Sequence, residues 1–95
     1  MFFIKLDEMM SKFIGEIIKR ENKYKNGNIK SANKHADNIF KLSNEFIKLG
    51  KDGENALIIL AHNTNPYVRL WAAPAVSKFN KELAISVLTE LAEST

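Results

Sequence analysis

Apolar residues recur at intervals of three and four along nearly the whole chain, the period of helices that bury one face. From Phe3 to Tyr24 they form a stripe of Leu6, Met10, Phe13, Ile17 and Tyr24, widened by Met9, Ile14 and Ile18. This predicts a first long helix. Gly15 inside it costs roughly 1 kcal/mol of helix propensity relative to alanine, a cost that close packing would justify. After the turn Asn26-Gly27-Asn28, a second helix is expected from Ile29 to Leu49, with Ala32, Ala36, Ile39 and Phe46 inward and Phe40, Leu42 and Ile47 flanking them. Gly50 falls where a left-handed C-terminal cap belongs.

Three shorter helices follow. Asp52 is placed to cap the third, whose buried stripe is Ala56, Leu57, Leu60 and Ala61, until Asn63-Thr64-Asn65 interrupts. Asn65-Pro66 is an N-cap followed by proline at the first helical position, so a fourth helix is expected from Pro66 to about Phe79. That segment is apolar on almost every side, which predicts a rod enclosed by its neighbours at the centre of the core. Pro74 removes the bond to the Leu70 carbonyl and should kink the helix or divide it. Asn80 caps the last helix, Lys81 to about Glu93, with Ala84, Val87, Leu88 and Leu91 inward.

The pattern is all-α: about five antiparallel helices, stacked as a short solenoid or bundle within a single domain, residues 1–95. No clear internal repeat is visible. The 95-residue length excludes a two-domain enzyme with an interdomain cleft, and 45% apolar with 26% charged residues is an ordinary globular balance.

Cysteine is absent, which removes disulfides, thiolate metal sites and cysteine nucleophiles together, and two histidines cannot by themselves complete a zinc site. No cofactor or metal is expected. The N-terminus lacks the form of a signal peptide, and no apolar run approaches the roughly 20 residues of a membrane span, so a cytoplasmic protein with no membrane partner is the expectation. Phe2, Phe3 and Ile4 leave room for an apolar patch at one end, a route to self-association.

The net charge of +3 is unevenly placed: up to Gly50 there are ten basic residues against six acidic, and from Lys51 onward four against five. Lys19, Arg20, Lys23, Lys25, Lys30 and Lys34 form a basic cluster bracketing the first turn, with Glu21 the one acid among them. Lys5, Lys12 and Lys19 recur every seven residues, as do Lys34, Lys41 and Lys48, and such stripes suit a phosphate backbone. The better reading of these stripes is a solvated, salt-bridged face. Glu8 with Lys12, Glu16 with Arg20, Glu21 with Lys25 and Asp37 with Lys41 are all spaced by four in the favourable order. Specific base readout is not supported.

The string Asn63-Thr64-Asn65-Pro66-Tyr67-Val68-Arg69-Leu70-Trp71-Ala72-Ala73 is more specific than periodicity. Its Asn-Pro, Val-Arg and Ala-Ala elements resemble the start of the second helix in HEAT-like repeats. With Leu57 to His62 before it, Ala84 to Leu91 after it, and the upstream Gly27-Asn28-Ile29-Lys30-Ser31-Ala32-Asn33-Lys34, the chain resembles a small bacterial HEAT-like family of unassigned function, the one numbered two-zero-one-nine. The resemblance covers about Glu21 to Ala92, and Pro74 departs from it. It implies a compact helical domain that binds other macromolecules, in the manner of immunity or accessory proteins, and is fold-level analogy.

Four residues of the fourth helix region stand out. Arg69, a cation in a first turn where the macrodipole disfavours it, needs a partner. A structural clasp would bond a carboxylate such as Asp52, Asp37 or Glu45, or the carbonyls ending a neighbouring helix; an anion-binding arginine is the alternative. Tyr67, Trp71 and Lys78 share one face by spacing, which suits a protein partner; core packing is the better reading of Trp71, and for Tyr67 the two readings are about even. His35 and His62 have no second histidine or carboxylate at the spacing of a metal site or triad. With no phosphate loop and no nucleophile elbow, the expectation is no enzyme and no small-molecule substrate, but a non-catalytic protein-binding module using a face of the third to fifth helices. The alternative is weak, sequence-independent nucleic-acid binding through the lysines of the first two helices. A nuclease would be a surprising protein target, since inhibitors of nucleases gain from acidic surfaces.

Overall fold

A computed structural model describes the backbone of residues 2–94 and the side chains of residues 5–93. The expected patch at Phe2, Phe3 and Ile4 lies outside the described side chains. The fold is all-α: the described residues form five helices, α1 (Phe2–Lys25), α2 (Ile29–Lys48), α3 (Lys51–Ala61), α4 (Pro66–Val76) and α5 (Lys81–Ser94). The chain divides into two compact units, Met1–Leu42 and Ser43–Thr95, with the division falling inside α2.

In the first unit α1 buries Leu6, Met9, Phe13 and Ile17, and α2 buries Ala32, Ile39 and Leu42. The helices are joined by a glycine-centred turn. Gly27 (φ 78°) donates to the Tyr24 carbonyl at 3.1 Å and Asn28 to the Lys23 carbonyl at 2.9 Å, the paired bonds of a Schellman cap. Lys23 and Lys25 sit in the last turn of α1, where the helix dipole favours cations. Glu16 on α1 meets His35 and Asn38 on α2, residues at similar distances on either side of Gly27, so the two helices form an antiparallel hairpin. Tyr24 and Ile18, expected on the buried stripe, are instead about half exposed, as is Phe40 on α2. Tyr24 lies in the final turn, beyond the level of Phe13 and Ile17 where α1 is covered. No atom lies within 4 Å of a Cβ placed on Gly15, so close packing does not account for that glycine.

The second unit begins within α2, where Phe46 is fully buried. Gly50 has φ 75° but ψ −141°, a combination outside the left-handed helical well that glycine alone adopts readily. It ends α2 by donating to the Ile47 carbonyl at 3.1 Å and starts α3 by accepting from the Glu54 amide at 2.9 Å. Gly50 is therefore the N-cap, and Asp52 lies in the first turn of α3 rather than capping it, favourably placed toward the positive helix end. Ala56, Leu57, Leu60 and Ala61 are buried as expected. A Cβ on Gly53 would overlap the carbonyl oxygen of Phe46, so this glycine permits a backbone-to-backbone approach of α2 and α3.

The cap of α4 follows the sequence closely: Asn65 Oδ1 accepts from the Tyr67 amide at 2.9 Å, with Pro66 beginning the helix. Pro74 does not divide α4, which instead ends at Val76, short of Phe79. The chain closes in a turn over Ser77–Phe79, where the Ser77 hydroxyl donates to the Pro74 carbonyl at 2.6 Å. Packed against both α3 and α5, α4 is the middle helix of its unit. It is nevertheless not enclosed. Val68, Ala72, Ala73, Ala75 and Val76 are buried, while Tyr67, Leu70 and Pro74 form an exposed apolar face. Lack of a polar face is thus not equivalent to burial on all sides. On α5, Ala84 and Val87 are buried, but Leu88 is exposed and Leu91 half-buried.

Candidate functional site

The exposed side of α4 and the C-terminal half of α5 together shape an apolar groove of about 440 Å³, lined by Pro66, Tyr67, Leu70, Leu88, Leu91 and Ala92. Its origin is the alanine-rich inner side of α4. Ala72, Ala73 and Ala75 face inward, so the larger side chains Tyr67 and Leu70 are left on the outer side, 40% and 47% exposed. Leu88, at 39%, supplies the facing wall from α5. The Tyr67 hydroxyl is the single side-chain polar group in this lining. Such a surface excludes water from an apolar guest and offers little hydrogen bonding.

No protein-family model matches the chain, and no curated protein or solved structure matches it significantly.

Of the three residues expected to share a face, Tyr67 lines the groove, whereas Trp71 and Lys78 do not. Trp71 is partly buried. Lys78 lies beyond the end of α4, so helical spacing from Trp71 no longer relates them; its Nζ donates to Asn44 Oδ1 at 3.1 Å. Arg69 is half-buried, and its Nη1 donates to the Asn63 carbonyl at 3.0 Å, two residues past the end of α3. Among the expected partners this is the carbonyl type, and no carboxylate pairs with Arg69 among the described residues. The bond ties α4 to the loop that precedes it. Asn63 Oδ1 also accepts from the Asn65 amide at 2.9 Å, so the loop is closed from both of its ends.

The basic cluster lies at the turn end of the α1–α2 hairpin, where Lys19, Lys23, Lys25, Lys30 and Lys34 are all exposed. Arg20 differs: it is partly buried, pairs with Glu21 at 2.9 Å, and stacks over the Tyr24 ring at 4.7 Å from the centroid. The expected pairing of Glu16 with Arg20 does not form. Glu16 turns toward α2, accepting from Asn38 Nδ2 at 3.0 Å and meeting His35 Nδ1 at 2.6 Å. An ionised carboxylate only accepts, so Nδ1 carries the proton in this bond. Glu8, Lys12, Asp37 and Lys41 are exposed, and neither Glu8–Lys12 nor Asp37–Lys41 is an ion pair among the described residues. Four-residue spacing permits such pairs but contributes only a few tenths of a kcal/mol, too little to hold two long side chains in water.

His35 thus has a carboxylate partner after all, nineteen positions away and invisible to any local motif. His62 caps the end of α3, its Nδ1 donating to the Ile58 carbonyl at 2.8 Å. Among the described residues no group of three or more acidic or histidine side chains is arranged to hold a metal ion, and no helix is long and apolar enough to cross a membrane.

The groove itself escaped sequence reasoning. Leu88 and Leu91 follow the same period as the buried Ala84 and Val87, so spacing assigns them inward. The available signal was excess: α4 carries more large apolar residues than one buried stripe accommodates.

Proposed function

We propose that this chain is a non-catalytic protein-binding module of HEAT-like character, from a bacterial cytoplasm, that captures its partner through the α4–α5 groove. One observation carries the reading: three large apolar side chains, Tyr67, Leu70 and Leu88, stand about 40–50% exposed around a single open groove. Exposed apolar surface costs free energy in water, at about 25 cal/mol per Å², unless a partner covers it. The lining suits an apolar side-chain anchor better than acid-base chemistry, which requires titratable groups in a pocket. An immunity or accessory role is the finer form of the same reading and rests on the resemblance at Asn63 to Ala73.

The test is capture from nuclease-treated extract of the source cells by wild-type chain and by a Leu70→Asp/Leu88→Asp variant. Both positions are exposed, so helicity should be retained. A protein held by the wild type and lost, by tenfold or more (roughly 1.4 kcal/mol), from the variant supports the groove. Equal capture by both rejects it.

A further inference from the structure

The largest concentration of charge on this chain is not used by the groove. Between Lys19 and Lys34 there are six basic residues and one acidic residue, so the segment carries +5 while the whole chain carries +3; the remainder is net negative by two. Of the three acids within a turn of this segment, two are engaged, and the third, exposed Asp37, lies beyond Lys34 and makes no ion pair among the described residues. Glu16 is drawn to His35 and Asn38, and Glu21 is bonded to Arg20. Lys19, Lys23, Lys30 and Lys34 are exposed and make no ion pair among the described residues.

We propose that this turn end of the α1–α2 hairpin binds single-stranded nucleic acid through its phosphate backbone, without reading base sequence. Charge complementarity selects a polyanion. Lysine ammonium groups on flexible stems follow phosphates as point charges and lack the fork of donors that arginine uses on base edges. The exposed tyrosine selects the strand state. Tyr24 is 53% exposed and carries Arg20 over its ring, a cationic aromatic platform on which an unpaired base stacks and a paired one does not. Glu16 acts here as a positioning residue: its carboxylate is held on α2 by His35 and Asn38 and not by Lys19 or Lys23.

Fluorescence anisotropy of a labelled oligothymidylate of about 20 nucleotides, titrated with the full chain, tests this. Four or five phosphate contacts predict a log–log salt slope of about −3, so affinity should fall roughly 50- to 100-fold between about 50 and 200 mM salt. Lys23→Glu/Lys30→Glu should weaken binding about tenfold or more, whereas Lys51→Glu/Lys81→Glu, with the same change in net charge but exposed positions on α3 and α5, should change it less than about threefold. Tyr24→Ala should weaken the oligothymidylate and leave a duplex of equal length unaffected. Equal loss in both lysine variants would mean that net charge alone attracts the strand, and overturns the site. Tighter or equal binding of the duplex overturns the single-strand assignment. Binding only to vesicles containing anionic phospholipid, with no anisotropy change on the oligonucleotide, overturns the proposal as a whole. The groove variant Leu70→Asp/Leu88→Asp should bind the strand as wild type does, which separates this site from the protein-binding one.

Discussion

Two helical glycines show how differently the two units of this chain are built. Gly15 in α1 has empty space where a side chain would go, whereas Gly53 in α3 lies against the carbonyl of Phe46. The contrast extends to what surrounds each. In the first unit the helices are linked by long polar side chains, Glu16 reaching His35 and Asn38, and their outer surface is lysine-rich. In the second, a backbone approach at Gly53 and the small residues Ala56, Ala61, Ala72, Ala73 and Ala75 make up much of the interior. Close approach consumes little side-chain volume, so the larger apolar groups of α4 and α5 remain for the surface. Both units leave large apolar side chains exposed; in the second, three of them gather around one groove, while the first carries most of the basic residues, which gives two different affinities within a chain of 95 residues.

The largest expected effect tests the close approach directly. Gly53→Ala must push α3 away from a main-chain oxygen that cannot move without displacing the end of α2. Overpacking of this kind costs about 3 kcal/mol, and chemical denaturation should show a correspondingly lower midpoint. A variant as stable as the wild type would mean that α2 and α3 separate at little cost, and the contrast between the units would lose its basis.

Much of this architecture was legible along the chain. All five helices, the Gly27 turn and the Asn65-Pro66 start of α4 follow from local chemistry, because caps and turns are decided by a few adjacent residues. What was not legible depends on distance in space. The exposure of Leu88 and Tyr24 reflects where a covering neighbour stops, and periodicity contains no information about that. The choice of Glu16 between Arg20, four residues away, and His35, nineteen away, depends on a helix pairing that spacing does not reveal. Of the candidate site, Tyr67 and the basic cluster were visible as residues, while the groove and the withdrawal of Glu16 required the fold.

A smaller effect addresses the polar clasp of the first unit. Glu16→Ala removes the acceptor of both His35 and Asn38, whose surroundings are only partly solvated; the His35 and Glu16 side chains are 18% and 15% exposed. Losing two hydrogen bonds while leaving their donors in place should cost about 1.5 kcal/mol. Glu16→Gln keeps one carbonyl oxygen for Asn38 and should recover part of that loss. If denaturation midpoints of the alanine variant and the wild type coincide, the clasp does not hold the hairpin, and the lysine-flanked helices of this unit must rely on their buried apolar residues, Phe13, Ile17 and Ile39 foremost.

The smallest effect has the opposite sign. Gly15→Ala adds a methyl group that meets nothing within 4 Å, at a position where the backbone is helical, so only the conformational entropy of the unfolded chain changes appreciably. The variant should be more stable by about 0.7 kcal/mol, with a raised midpoint and an unchanged denaturant slope. Because Gly53→Ala is the same chemical substitution, the pair isolates packing from propensity: the intrinsic gain is common to both, and the difference between them measures the backbone approach of α2 and α3. A loss of stability at Gly15 would show that α1 requires glycine for contacts of its own, and the two units would then be built alike.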